Sequence, residues 1–114
     1  MTQQSDLPHD FLSEKALIGS LLIDNRAFDE ITDIQLSLED FYHPQYGVIF
    51  DAINDLAVSS EPFDLVSVCA KLTDMGKLEA VGGQSALINL VEDTASSANI
   101  YHYSKIVKNK LTLR

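Results

Sequence analysis

"FDLVSVCAKLTDMG", residues 63–76, admits two readings. Its opening "FDLVSV" mixes aromatic and β-branched residues in a way that suits a strand. Leu65, Val68, Cys69, Leu72 and Met75, however, recur at steps of three and four, the period of one helical face. Asp64 precedes them as an N-cap, and Gly76 follows with the positive-φ freedom that ends a helix. A strand remains the competing reading, but the spacing continues to Met75 and favours helix. No other alternating apolar–polar run is long enough to be a strand, so the expected fold class is all-α.

The same period extends to both sides. Upstream, "HP" at 43–44 opens a helix, because proline at the first helical position loses no hydrogen bond. Tyr46, Ile49, Phe50, Ile53, Leu56 and Ala57 then mark its buried face. Earlier still, Ser13 reads as the N-cap of a helix carrying Leu17, Ile18, Leu21 and Leu22, with Gly19 inside it for close packing against a neighbour. Asn25 reads as the cap of a short second helix with Phe28, Ile31 and Ile34, and residues 35–43 as irregular. Downstream, a helix from about Gly83 to Asp93 buries Leu87, Leu90 and Val91. Ser97 is the expected cap of a last helix striped by Ile100, Tyr103, Val107 and Leu111. The expectation is a compact single-domain bundle of about six helices over residues 11–114, behind a disordered leader of residues 1–10.

Composition narrows the function. A 46% hydrophobic chain of 114 residues can build one core. No apolar run approaches the ~18 residues of a membrane span, and the polar, acidic start is not a signal peptide, so a cytoplasmic location is expected. The net charge of −9 opposes tight direct binding to nucleic acid. The charge is uneven: four of the eight basic residues lie in the last ten positions, and no acid does. This basic end suits the C-terminal dipole of a helix, or else a contact with a partner or nucleic acid.

Catalytic constellations are missing. The glycine pair Gly82-Gly83 is followed by Gln84-Ser85 rather than the lysine and hydroxyl of a phosphate-binding P-loop, and it lacks a dinucleotide-binding third glycine. Its expected role is a tight turn and close helix packing; weak anion binding at the following helix N-terminus is the alternative. His9, His43 and His102 lack metal-ligand spacing, and one cysteine, Cys69, allows neither an internal disulfide nor a cysteine-cluster metal site. The acid pairs are sequence neighbours that point apart on a helix. No catalytic, cofactor-binding or metal-binding residue is expected, and the residues alone describe an acidic helical interaction domain.

Several stretches together resemble the N-terminal domain of the bacterial replicative DNA helicase, the DnaB family. They are "LPHDFLSEKALIGSLLIDN", "EDFYHPQYGVIFDAI", "PFDLVSVCAKLTDMGKLEAVGG" and "SSANIYHYSKIVKNK", in family order from about residue 8 to residue 114. The motif positions are Asp40, Phe41, Tyr42, Ile49, Phe50, Asp64, Gly82, Gly83, Asn99 and Tyr103. Tyr46 stands where the family often has histidine, and Phe63 where it often has an aliphatic residue.

The resemblance implies a collar on a hexameric ring, often a trimer of dimers, that supports assembly and recruits primase. It implies ATP and Mg²⁺ only in a separate RecA-like motor domain beyond Arg114, which also moves along single-stranded DNA. It casts the final helix as the first arm of a truncated helical hairpin. Partners implied are a second copy, primase and a helicase loader. The 99–114 helix, with Tyr101, Lys105 and Lys108, is the candidate face for self-association or a partner. Alternatives are the helicase-binding domain of primase, a small anion- or nucleotide-binding domain, and direct DNA binding through the basic end.

Overall fold

The computed structural model describes residues 8–94 and 96–112, with side chains for 11–94 and 96–108. Among the described residues five α-helices follow one another: α1 Pro8–Ile23, α2 Pro44–Val58, α3 Leu65–Asp74, α4 Gly83–Asp93 and α5 Ile100–Thr112. Three 3₁₀ segments join them, Asn25–Ile34, Leu38–Asp40 and Glu79–Val81. Among the described residues there is no strand, and the all-α expectation holds.

The deciding stretch is helical because its ends are closed. Asp64 Oδ1 accepts the Ser67 N–H at 2.9 Å, and Ser67 Oγ accepts the Asp64 N–H at 2.8 Å, a reciprocal capping box. At the other end Gly76 has φ 72°, and the Lys77 N–H reaches back to the Leu72 carbonyl at 2.9 Å. Between these ends Val68 and Leu72 are wholly buried.

α1 is the central element. It touches α2, α4, α5 and the Asn25–Ile34 segment, and Leu17, Ile18 and Leu21 have no exposed surface. A helix surrounded in this way needs one flat side for close approach. Gly19 supplies it: a Cβ there would collide with Thr94 Oγ1 and lie 3.0 Å from the Leu90 carbonyl oxygen. α2 contributes Ile49, Phe50, Ala52 and Ile53 to the same core, and α5 contributes Ile100 and Val107. The radius of gyration of 13.2 Å fits one compact domain, for which about 13 Å is usual at this length.

Three local expectations are corrected. α1 begins at Pro8, not after Ser13, so Pro8–Asp10 belong to the helix rather than to a leader; residues 1–7 lie outside the described residues. The rule that placed α2 at Pro44 applies equally at Pro8, and Ser13 lies buried inside the helix. The second helix is wound as 3₁₀ turns and is capped by Asp24, whose Oδ1 accepts the Arg26 N–H at 3.1 Å. Asn25 has other work: its side-chain amide donates to the Phe63 carbonyl at 3.0 Å and ties this segment to the α2–α3 loop. Ser97 does not cap α5 with its side chain; its hydroxyl donates to Asp24 Oδ2 at 3.3 Å.

Candidate interaction surface

The "DFYHP" segment, residues 40–44, is organised by two buried carboxylates from different elements. Glu14 of α1 has no exposed surface. Its Oε2 accepts the Tyr42 N–H at 2.6 Å, and its Oε1 accepts the His43 N–H at 3.1 Å and lies 2.9 Å from His43 Nδ1. His43 makes no side-chain cap of its own for α2, so a carboxylate from another helix receives the N–H groups at its entry. Phe11, Tyr42 and Tyr46 pack their rings around His43 with centroids 5.2, 5.1 and 5.8 Å away. Burial, and then the Glu14 charge, push the Tyr46 hydroxyl above its ordinary pKa.

Sequence reasoning missed Glu14, although a signal was present. Positions 14, 17, 18 and 21 share one helical face, so an acid at 14 stands on the buried stripe of Leu17, Ile18 and Leu21.

Asp40 is the second carboxylate, also without exposed surface. Its Oδ2 accepts the Ser37 N–H at 2.8 Å and the Lys108 ammonium at 3.4 Å. Beside it Phe41 is buried against Phe50, centroids 5.3 Å apart. The motif residues Asp40, Phe41 and Tyr42 therefore stand at the entry to α2, with Phe41 packed on Phe50 farther along that helix, while Ile49 is buried in the core. Asp64 stands apart as the α3 cap, exposed.

The glycine pair forms the turn into α4. Gly82 has φ 104° and Gly83 φ 79°, in the range L side chains rarely adopt. The Gly82 N–H donates to the Glu79 carbonyl at 3.1 Å and the Gly83 N–H to the Leu78 carbonyl at 2.9 Å. The N–H groups of the pair itself are thus spent within the turn. A Cβ at Gly82 would also meet the Ala86 Cβ at 2.8 Å, whereas one at Gly76 would meet open space. Gly82→Ala is expected to lower the unfolding free energy by about 2 kcal/mol, and Gly76→Ala by about 1 kcal/mol, from backbone strain alone. Parallel urea denaturations check the difference.

The three residues expected on one face of α5 divide. Tyr101 and Lys105 are exposed together, with the Lys105 ammonium 5.6 Å from the Tyr101 ring centroid. Lys108 turns inward to Asp40 and to the Gln35 carbonyl at 3.3 Å. Asn99 and Tyr103 line an open groove of about 510 Å³ between α1, the end of α4 and the start of α5. Leu12, 56% exposed, and Ala16 form its apolar side, and the Lys15–Asp93 ion pair at 2.8 Å closes one edge. A half-apolar groove with a charged rim suits protein contact better than bond chemistry.

Other reactive groups are quiet. Burial raises the Cys69 thiol above its ordinary pKa, which keeps it protonated and a poor nucleophile. The hydrogen bond from the Arg26 side chain holds the Asp24 carboxyl below its ordinary range. Among the described residues no three His, Cys, Asp or Glu side chains converge as a metal site. No described helix is long and apolar enough to cross a membrane.

Comparison with known proteins gives this geometry a context. The model of the DnaB-like helicase N-terminal domain matches residues 6–109. The replicative DNA helicase DnaB of Geobacillus stearothermophilus is 36% identical over 107 residues, which are 94% of this chain and 23% of the relative. Those of Leifsonia xyli subsp. xyli and Mycobacterium leprae are 34% and 35% identical over the same length, 23% and 18% of those proteins. The chain thus spans about a fifth of these curated relatives. The crystal structure of the N-terminal domain of DnaB helicase from Mycobacterium tuberculosis superposes with a TM-score of 0.84 at 34% identity, covering 91% of this chain and 75% of that one. With its helical architecture and nearly all of its length matched, the chain belongs to the DnaB-like helicase N-terminal domain family.

Proposed function

We propose that this domain is the non-catalytic head of a replicative DNA helicase, supporting assembly of a hexameric ring and recruiting primase at the replication fork in the cytoplasm. The observation that carries the reading is the superposition on a DnaB N-terminal domain over 91% of the chain. The site geometry supports it: buried carboxylates and glycine turns here hold helices in place, and the open groove and the Tyr101–Lys105 face are surfaces for contact. ATP and Mg²⁺ chemistry and passage of single-stranded DNA belong, on this reading, to a motor domain distinct from these 114 residues. A helicase loader is a further partner under the same proposal. Engagement of the Gly82 and Gly83 N–H groups inside their own turn favours this reading over anion binding by the glycine pair.

Sedimentation velocity tests both halves. The purified chain is expected to show concentration-dependent self-association and to co-sediment with the helicase-binding domain of its cognate primase. A strict monomer up to about 100 µM would remove ring support, and no complex at about that concentration would remove primase recruitment, since affinities near this value are too weak to organise a fork.

A further inference from the structure

We propose that Lys108 is a latch through which the seating of α5 governs the conformation of residues 35–41, so that a partner moving α5 also moves that segment. The ammonium bridges two points far away in sequence, the Gln35 carbonyl at 3.3 Å and Asp40 Oδ2 at 3.4 Å. Asp40 has no exposed surface, and its Oδ1 is buried without a hydrogen-bond partner among the described residues. Among the described residues the Ser37 N–H is its other donor and Lys108 its one cation. Gln35 adds a second sign of constraint. Its φ of 58° is unusual for a residue with a side chain, and it is held by its own N–H to the Thr32 carbonyl at 3.3 Å and by Lys108 on its carbonyl.

Removing the ammonium strands a charge in the interior, which is far more costly than losing an exposed ion pair. One escape open to the chain is to swing the 35–41 turn toward water; uptake of a proton is the other. Reciprocally, neutralising Asp40 weakens the hold on Lys108 and loosens the α5 turns behind it, since coupling between two elements acts in both directions. Each end of the latch carries an exposed apolar side chain, Leu38 at 43% on the segment and Tyr101 at 42% on α5. A contact at one is thereby felt at the other. The coupling is a property of the fold and does not depend on which partner docks.

Amide hydrogen exchange on the 114-residue chain, read residue by residue, tests the latch. Lys108→Met keeps most of the stem and removes the charge. It is expected to speed exchange at the Gln35, Asp40 and Phe41 amides about tenfold, while Val68 and Leu72 of α3 change less than about twofold. Asp40→Asn keeps an oxygen for the Ser37 N–H and is expected to speed exchange at Ser104 and Val107, across the latch, about fivefold. Combining the two changes should add little to either alone. If Lys108→Met does not fold, the response of α5 to Asp40→Asn decides by itself. Effects confined to the element that carries the substitution, or equal at every amide, would overturn the proposal.

Discussion

Glu14→Ala is expected to lower the unfolding free energy by about 4 kcal/mol, a large part of the stability of a domain this size. The carboxylate serves the Tyr42 and His43 N–H groups and the His43 ring at once, from a position with no exposed surface. Its loss strands two backbone donors, at about 1–3 kcal/mol each, and leaves an unfilled space. Glu14→Gln should recover little of this. The amide offers one oxygen and one NH₂, and the NH₂ then faces an N–H donor. Urea denaturation followed by far-ultraviolet circular dichroism gives both values. A loss below about 1 kcal/mol for either variant would mean that the α2 entry is held by something other than this carboxylate.

The second large effect is expected at the α1–α4 crossing. Gly19→Val should cost about 3 kcal/mol or more, because its branched Cβ is forced against Thr94 and the Leu90 carbonyl. Gly19→Ala carries two opposing terms. It gains about 1 kcal/mol of helix propensity over glycine but drives its methyl into the Thr94 hydroxyl, which is itself bonded to the Leu90 carbonyl at 2.7 Å. Thr94→Ala removes that obstacle. In the Thr94→Ala background, Gly19→Ala should therefore be less destabilising by about 1 kcal/mol than in the native chain. Additivity of the two changes would show that the backbone carbonyl, rather than the hydroxyl, sets the distance between the helices.

What could be read in advance follows from whether the governing interaction was local. Asp64 with Ser67, Gly76, Pro44 and the Gly82-Gly83 turn act within a few residues, and the helices they bound lie where the spacing of apolar residues places them. Ser97 and Asn25 have equally good local roles open to them, yet their side chains are drawn to Asp24 and Phe63, 73 and 38 residues away. Lys108 is the same case on a surface helix: its charge reads as outward until the chain folds and brings Asp40 beneath it. The 3₁₀ winding of Asn25–Ile34 was not legible, since Phe28, Ile31 and Ile34 recur at steps of three, which either kind of helix brings near one face. Glu14 could have been found, because an acid in step with Leu17, Ile18 and Leu21 needs a buried partner wherever that partner lies.

On the proposed function, these helices serve contact with other proteins and leave the chemistry to a separate domain. The most direct measurement is an amide-shift titration of the isotopically labelled chain, run in parallel with the cognate primase domain and with Mg²⁺-ATP. Primase should perturb one contiguous surface, while the nucleotide leaves Gly82 and Gly83 unmoved at millimolar concentration. Saturable nucleotide shifts centred on those two glycines, with no response to primase, would contradict the account.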